Sequence, residues 1–457
     1  MKLKCLQEEN KMLRMENKSL REEVTILSDR VSQLLKVIED MGHKKNSKNS
    51  SLPPSSDFAR KNKSLRGQSD KKSGGQPDHK GSTLLQSKNP NIVTELKSNF
   101  CNVCGCSLSD ADFELTSSRQ VVDIPPVNVS YHEYRQYSCT CPHCQHKQVE
   151  EFPNEVSAPI QYGSRIQSLV SYFSVYQYIP YARLAAMFSQ VFNLPLSEGS
   201  IQNILVKSAS KAGVIYDRIK EELKQSNIVG SDETGAKANG NKIWIWAWQN
   251  FLNTYLVASE NRGYKTIEAE WENGFPTSVL VSDRLSAQLK TPAQIHQVCL
   301  AHLLRDIIYI EEAESHSFSQ AFKELMVEVF EFKKNQKCDY SIDSALIKPF
   351  EEKLNHLLSI PISKNSYPKT ATFQKSITKI RNSILPCLYR KDIPPDNNGS
   401  ERSVRNVKVK QKISGQFKTG QKQFCILRSV IDTVIKRKQD ILNTLSQIML
   451  LNRTFIF

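Results

Sequence analysis

At 457 residues, 39% hydrophobic and 24% charged, the chain reads as a globular protein of several domains, because one core seldom serves more than about 250–300 residues. A formal net charge of +15 points to a polyanionic partner, nucleic acid first. The lack of a run of about 18 apolar residues excludes a transmembrane helix, and the charged, heptad-patterned start excludes a signal peptide.

Residues 1–40 repeat with a period of seven. Leu6, Leu13, Leu20, Leu27 and Leu34 share one core position, and Leu3, Asn10, Asn17, Val24, Val31 and Ile38 share the other. With leucine at d, Asn and Val alternate in blocks at a, the mixture expected of a parallel two-stranded coiled coil held in register. Glu9, Glu16 and Glu23 at g, with Arg14 and Arg21 at e, attract between identical chains, so a homodimer is predicted. Residues 41–98 then lose their large apolar side chains. Between 41 and 100 there are 12 Lys/Arg against 4 Asp/Glu, which predicts a basic, disordered linker able to track phosphates or simply to solubilise.

Six of the eleven cysteines lie between 101 and 144, which excludes a disulfide scaffold and reads as metal binding in a reducing cytosol. Cys101-x2-Cys104 and Cys141-x2-Cys144 flank a strand-like stretch, RQVVDIPPVNVSYHEYRQYSC. Two such turns supply four thiolates to a tetrahedral, closed, structural Zn²⁺ site, so 99–156 is predicted to be a zinc-binding module. Cys106 and Cys139 are alternative ligands. Residues 157–226 show helical apolar spacing in three segments, with Ser197 placed to cap the last. Helix, short turn, helix there is compatible with a helix-turn-helix DNA reader and with plain helical packing.

From residue 227 the period changes to that of strands. NIVGSDETG ends an apolar run at Asp232, KIWIWAWQN and TYLVASENR follow, and after a helix TSVLVSDR ends at Asp283. Three strands, a helix and a fourth strand match the opening of a ribonuclease-H-like sheet, in which the first and fourth strands are neighbours. Their two carboxylates would then converge. Cys299-x2-His302 follows, expected within a strand; lacking a partner pair, it reads as a core or near-site histidine rather than a zinc ligand. Residues 306–390 carry amphipathic helices and are predicted to be a helical insertion. Glu401 heads a basic segment with Arg402, Arg405, Lys408, Lys410 and Lys412; Arg305 is a further phosphate contact. The catalytic domain is thus assigned to 227–305 and 391–423, and 424–457 to a C-terminal helix used in packing or assembly.

NSSLPPSSD, GGQPDHKG, the paired cysteines, QYGSRIQSLV, SDETG, VSDR, CLAHLLRD and DNNGSERSVR occur in one order from residue 49 to about 410. In this combination the chain resembles the transposases of the IS66 family of bacterial insertion sequences. SDR followed by LSAQ departs from the small or aromatic residue that often follows this Asp. The resemblance implies a DDE transposase with Asp232, Asp283 and Glu401 as the metal-binding triad. Two Mg²⁺ about 3.5–4 Å apart, or Mn²⁺ in their place, would serve cleavage and strand transfer of the element ends into target DNA without a protein nucleophile.

The expected architecture is therefore multidomain α+β, running from coiled coil through zinc module and helical domain to a ribonuclease-H-like catalytic domain with its insertion. A bacterial, cytoplasmic, nucleoid-associated setting follows, with a larger synaptic assembly and helper proteins from the same element as further partners. The competing readings are a catalytically silent zinc-containing DNA-binding regulator and a ribonuclease-H-like nuclease that cuts without joining.

Overall fold

The computed structural model of the chain describes residues 2–42, 84–341 and 344–451. Most of the basic linker predicted over 41–98 lies outside the described residues, as do 452–457. The chain divides into two compact units, one made of residues 59–131 with 191–193 and the other of the remainder.

In the larger unit α1 (Lys2–Gly42) spans the heptad segment as one helix. Leu20, Val24, Leu27, Val31 and Leu34 along it are each more than half exposed. Further on, β1 (Ser138–Thr140) and β2 (Lys147–Val149) form an antiparallel hairpin around the second cysteine pair. The strand-like stretch expected ahead of it is not a strand: residues 118–137 are irregular and mostly exposed. Pro125-Pro126 in its middle removes two ladder donors, which leaves too little pairing for a sheet.

Four helical segments precede the sheet. They are α2 (Ser164–Ser171), its π-helical continuation Tyr172–Tyr176, α3 (Tyr181–Phe192) and α4 (Glu198–Lys224). Ser197 does cap α4, its Oγ accepting from the Ser200 N–H at 3.0 Å. Buried positions run along α4 from Ile201 to Leu223, because it packs on α2 and on a C-terminal helix.

The main sheet holds β3 (Ile228–Ala238), β4 (Asn241–Gln249), β5 (Thr254–Ser259), β6 (Phe275–Ser282) and β7 (Ala293–Val298), with α5 (Tyr264–Glu270) and α6 (Ser286–Leu289) between them. Its order is β5-β4-β3-β6-β7. The first three strands are antiparallel; β3, β6 and β7 are parallel. The first and fourth strands are therefore neighbours, as expected. Asp232 does not end its strand, however. β3 runs on through Glu233-Thr234-Gly235 to Ala238, since every residue from Gly230 to Ala238 pairs with β4 and Phe417 bonds to the strand's far end.

Trp246, Trp248 and Trp271 are fully buried on this sheet and pack against Tyr255 and Phe275. Helices α7 (Leu300–Ala313), α8 (Ser317–Asn335), α9 (Lys348–Ser359), α10 (Pro368–Lys379) and α11 (Pro386–Tyr389) follow β7. They share one hydrophobic core with β6 and β7 through residues such as Val281, Val298, Phe322 and Leu388.

α12 (Asn398–Ser414) then returns to β3 and β4. In place of one C-terminal helix there are two, α13 (Gln421–Lys436) and α14 (Ile441–Leu450). Lys438 sits at φ 56° between them, and Asp440 caps the second by accepting from Asn443 N–H. α13 covers the edge strand β5: Thr433 Oγ1 and Ser429 Oγ accept from the Thr254 and Leu256 N–H groups at 3.1 and 2.8 Å. The edge is thereby closed to pairing with another strand.

Candidate active site

The parallel pairing of β3 with β6 places Ser231 opposite Ser282. Asp232 is the next residue on β3 and Asp283 the first residue past β6, so the register makes them neighbours. Asp232 is buried, at 8% exposure. Burial, followed by the nearby charges of Asp283, Glu233 and Glu401, holds its carboxyl well above the ordinary carboxylate range, although the Glu233 N–H donates to Oδ1.

Glu401 arrives on the first turn of α12, brought there by contacts of its neighbours. Asn397 is buried; its side-chain amide donates to Ser231 O at 2.8 Å, and its backbone N–H points to Cys299 Sγ at 3.3 Å. A Cβ on Gly230 would lie 2.5 Å from both Gln249 Nε2 and Ser400 Oγ, and one on Gly399 would lie 2.5 Å from Gln249 Nε2. Gly230 leaves room for Ser400 of α12 against β3, and Gly399 leaves room for the Gln249 side chain of β4. The turn-forming pattern Asp396-Asn397-Asn398-Gly399 carries no sign of this docking role. Asn397 and Gln249 carried no local signal, since their partners are distant in sequence.

His302 joins the carboxylates. It lies on the first turn of α7, not in a strand as expected: β7 stops at Val298 and Cys299 begins the helix. HQVCLAHLL contains no Gly, Pro, Asn, Asp, Ser or Thr to mark a boundary, so periodicity could not find the break. His302 Nδ1 is 3.1 Å from Asp283 Oδ1, and Nε2 is 3.7 Å from Glu401 Oε1. Burial opposes its protonation, but the adjacent Asp283 and Cys299 outweigh that and lift its pKa to about 10. Arg284, next to Asp283, pairs with Asp306 on the same helix.

The donor set fits a hard divalent cation. Asp283 Oδ1 and Glu401 Oε1 are buried and accept no aligned hydrogen bond. Carboxylate oxygens clustered beside a buried acid are the kind of ligand that Mg²⁺ takes, with waters completing the shell. Asp283, Cys299 and His302 also bring one oxygen, one sulfur and one nitrogen within 4.8 Å of each other.

The basic residues assigned to DNA divide. Arg402, Arg405 and Lys412 are exposed on α12, and Arg305 is half-buried on α7. Lys408 is half-buried and donates to Gly235 O at 2.6 Å; Lys410 is buried, at 9% exposure.

Each cysteine pair forms the same local turn within its own unit. Cys101 N–H donates to Cys106 O and Gly105 N–H to Cys101 O; in the same way Cys141 N–H donates to His146 O and Gln145 N–H to Cys141 O. The turns close between Phe100 and Ser107 and between Thr140 and Lys147, with positive φ at Gly105 and Gln145. Backbone N–H groups of Cys104 and Val103 lower the Cys101 thiol pKa, and those of Cys144 and His143 lower that of Cys141, which favours thiolate. Cys101 and Cys104 thus match Cys141 and Cys144 position for position, whereas Cys106 and Cys139 have no such counterpart.

A mixed sheet with three acids, on β3, just past β6 and on the helix that returns to β3, defines a candidate cation-dependent site in an α+β protein. The chain belongs to the IS66 family of transposases, whose family model matches residues 159–423. That span contains all three acids and assigns DNA as the class of molecule acted upon. A family of unknown function (DUF6444) matches residues 4–84, over α1 and the segment after it. No curated protein matches the chain. Among the described residues no helix is long and apolar enough to cross a membrane.

Proposed function

We propose that the chain cuts and joins DNA as a DDE transposase, with Asp232, Asp283 and Glu401 as its acidic triad on a ribonuclease-H-like sheet. The observation that carries this reading is the approach of Asp283 and Glu401 to the two nitrogens of His302 beside the buried Asp232. Two Mg²⁺ held by these acids would supply Lewis-acid activation of water and stabilisation of the leaving oxygen.

The chain's own residues do the positioning. Asp232 is held by β3, so its carboxylate cannot drift from the sheet. Asn397 and the two glycines fix the height of Glu401 above it. His302 spans Asp283 and Glu401 and sets their separation. A protonated His302 also offsets their negative charge until cations arrive. Arg305, Arg402, Arg405 and Lys412 are the phosphate contacts around the site.

Two further assignments accompany this reading. Cys101, Cys104, Cys141 and Cys144 hold one structural Zn²⁺, supported by the matching turns and by the absence of any buried residue between 99 and 156. The stripe of α1 pairs with a second copy of the chain as a parallel coiled coil.

Strand transfer is the test. Purified full-length protein with Mg²⁺, labelled element-end DNA and a target plasmid should yield joined product. Asp232→Asn and Glu401→Gln should each lower it by more than about 100-fold, because even residues standing behind metal ligands cost about 10–100-fold when replaced. Joined product at the wild-type level in either variant would overturn the triad. Cleavage without joining would instead favour a nuclease.

A further inference from the structure

Glu233 follows the buried Asp232, and its side chain leaves β3 on the opposite face of the strand. Its side chain is 7% exposed, and it binds two elements at once. Oε1 accepts from Arg262 Nε and Nη2 at 3.1 and 2.8 Å, and Oε2 accepts from Gln288 Nε2 at 3.1 Å. Arg262 stands in the loop between β5 and α5, while the fully buried Gln288 lies on α6. Glu233 therefore ties together two walls that have no sequence relation.

Between those walls lies a cleft of about 290 Å³, lined by Arg262, Gly263, Tyr264, Leu285, Ser286 and Lys290 among others. Its lining has two cations, a phenol and a hydroxyl, and no carboxylate. The volume is at the lower end of the roughly 300–1,000 Å³ of small-ligand sites, enough for a single nucleotide and too little for a duplex. The Arg262 guanidinium also lies 4.6 Å from the centre of the half-buried Trp244 ring, and Lys242 lies 4.8 Å from it.

The position matters as much as the lining. Leu285 is two residues past Asp283, at most about 7 Å of extended chain, and Glu233 is the residue next to Asp232. A DNA strand with one phosphate at the acidic triad has its neighbouring nucleotide within reach of this cleft.

We propose that the cleft is a nucleotide subsite for an unpaired DNA strand: Arg262 and Lys290 take the two backbone phosphates that flank one nucleotide, and Tyr264 offers the aromatic face on which its base stacks. Glu233 is its positioning residue. By spending one edge of the guanidinium it leaves the remaining donors of Arg262 for phosphate. The inference rests on the strand-cleaving reading of the adjacent acids and extends it to where the substrate strand runs.

The test measures the affinity of the full-length protein for a fluorescein-labelled single-stranded oligodeoxynucleotide as a function of salt. Each phosphate contact on a single strand contributes about 0.7 to the slope of log K against log salt. Arg262→Ala/Lys290→Ala should lower the slope by about 1.4, and Arg262→Lys/Lys290→Arg should restore it. Lys290→Ala alone, which leaves the Glu233 contacts intact, should lower it by about 0.7. Lys334→Ala/Lys337→Ala, both exposed on or after α8, should leave it unchanged.

An unchanged slope in Lys290→Ala, or an equal fall in the Lys334/Lys337 control, overturns the subsite. Competition by deoxyadenosine monophosphate or inorganic phosphate as strong as that by the oligonucleotide would overturn the strand assignment. The parent reading fails separately: wild-type protein that shows the slope change yet never cleaves with Mg²⁺ defeats the chemistry alone, and protein that cleaves without the slope change defeats the cleft alone.

Discussion

Along α12 the basic side chains that follow Glu401 divide by helix face, and Lys410 marks the division. Burial alone lowers its pKa to about 8. In the folded chain it is neutral above that pH, whereas in the unfolded chain it keeps its proton to about 10.4. Between the two values the unfolded state binds more protons, so stability should rise with pH from about 8 to about 10.5. Below pH 8 both states are charged and the folded chain carries the full cost of burial. Lys410→Met should therefore stabilise the protein at pH 7 by on the order of 1–3 kcal/mol, read by urea denaturation, and should flatten the alkaline rise. A destabilised variant would mean that the ammonium is held by a partner its burial conceals. For DNA the two faces should also separate: Arg405→Ala lowers the salt slope on duplex by about 0.9, and Lys410→Met leaves it alone.

Among the elements, the two cysteine turns are the case in which sequence spacing and local structure agree while burial does not support folding. No residue between 99 and 156 is buried, so this segment has no apolar core to hold it and needs another source of stability. Structural Zn²⁺ supplies roughly 10–16 kcal/mol in small zinc peptides, far more than such a segment requires. Zinc analysis should find one ion per chain. Cys104→Ser/Cys144→Ser should lose it and open residues 99–156 to limited proteolysis, while the sheet domain stays protected. Protection that survives without zinc would overturn the assignment.

The two cysteine turns were legible because each C-x2-C pair is local, and so were the strands of the sheet, since each apolar run is bounded by turn residues. The extension of β3 beyond Asp232 was not. ETGAKA is polar and glycine-containing, and it is a strand only because β4 and Phe417 pair with it. The same holds for Glu233, whose partners Arg262 and Gln288 lie far along the chain. Conversely, Asp440 was a readable helix start that would have split the C-terminal helix in two.

For the molecule as a whole, α1 poses a problem that one chain does not solve. Leu20, Val24, Leu27, Val31 and Leu34 form a stripe on a 41-residue helix, and each is more than half exposed. A stripe of that length left in water is unfavourable, and isolated helices draw little stability from propensity alone. A second copy would cover it residue for residue. The identical heptads would bring Glu9 and Glu16 at g against Arg14 and Arg21 at e, which would also counter the mutual repulsion of two chains carrying +15 each. Such a pair presents two acidic sites to two element ends, an arrangement that joining both ends to one target requires. Leu20→Pro/Leu27→Pro inserts two residues that each cost about 3 kcal/mol in a helix interior and breaks the seam at its centre. Light scattering should then report about 52.1 kDa in place of twice that mass. The monomer should still nick single labelled ends, because its acids and DNA contacts are untouched, but should lose products in which two ends are joined to one target. A variant that remains dimeric would place the dimer contact elsewhere in the chain, and one that is monomeric yet joins paired ends would show that pairing does not depend on α1.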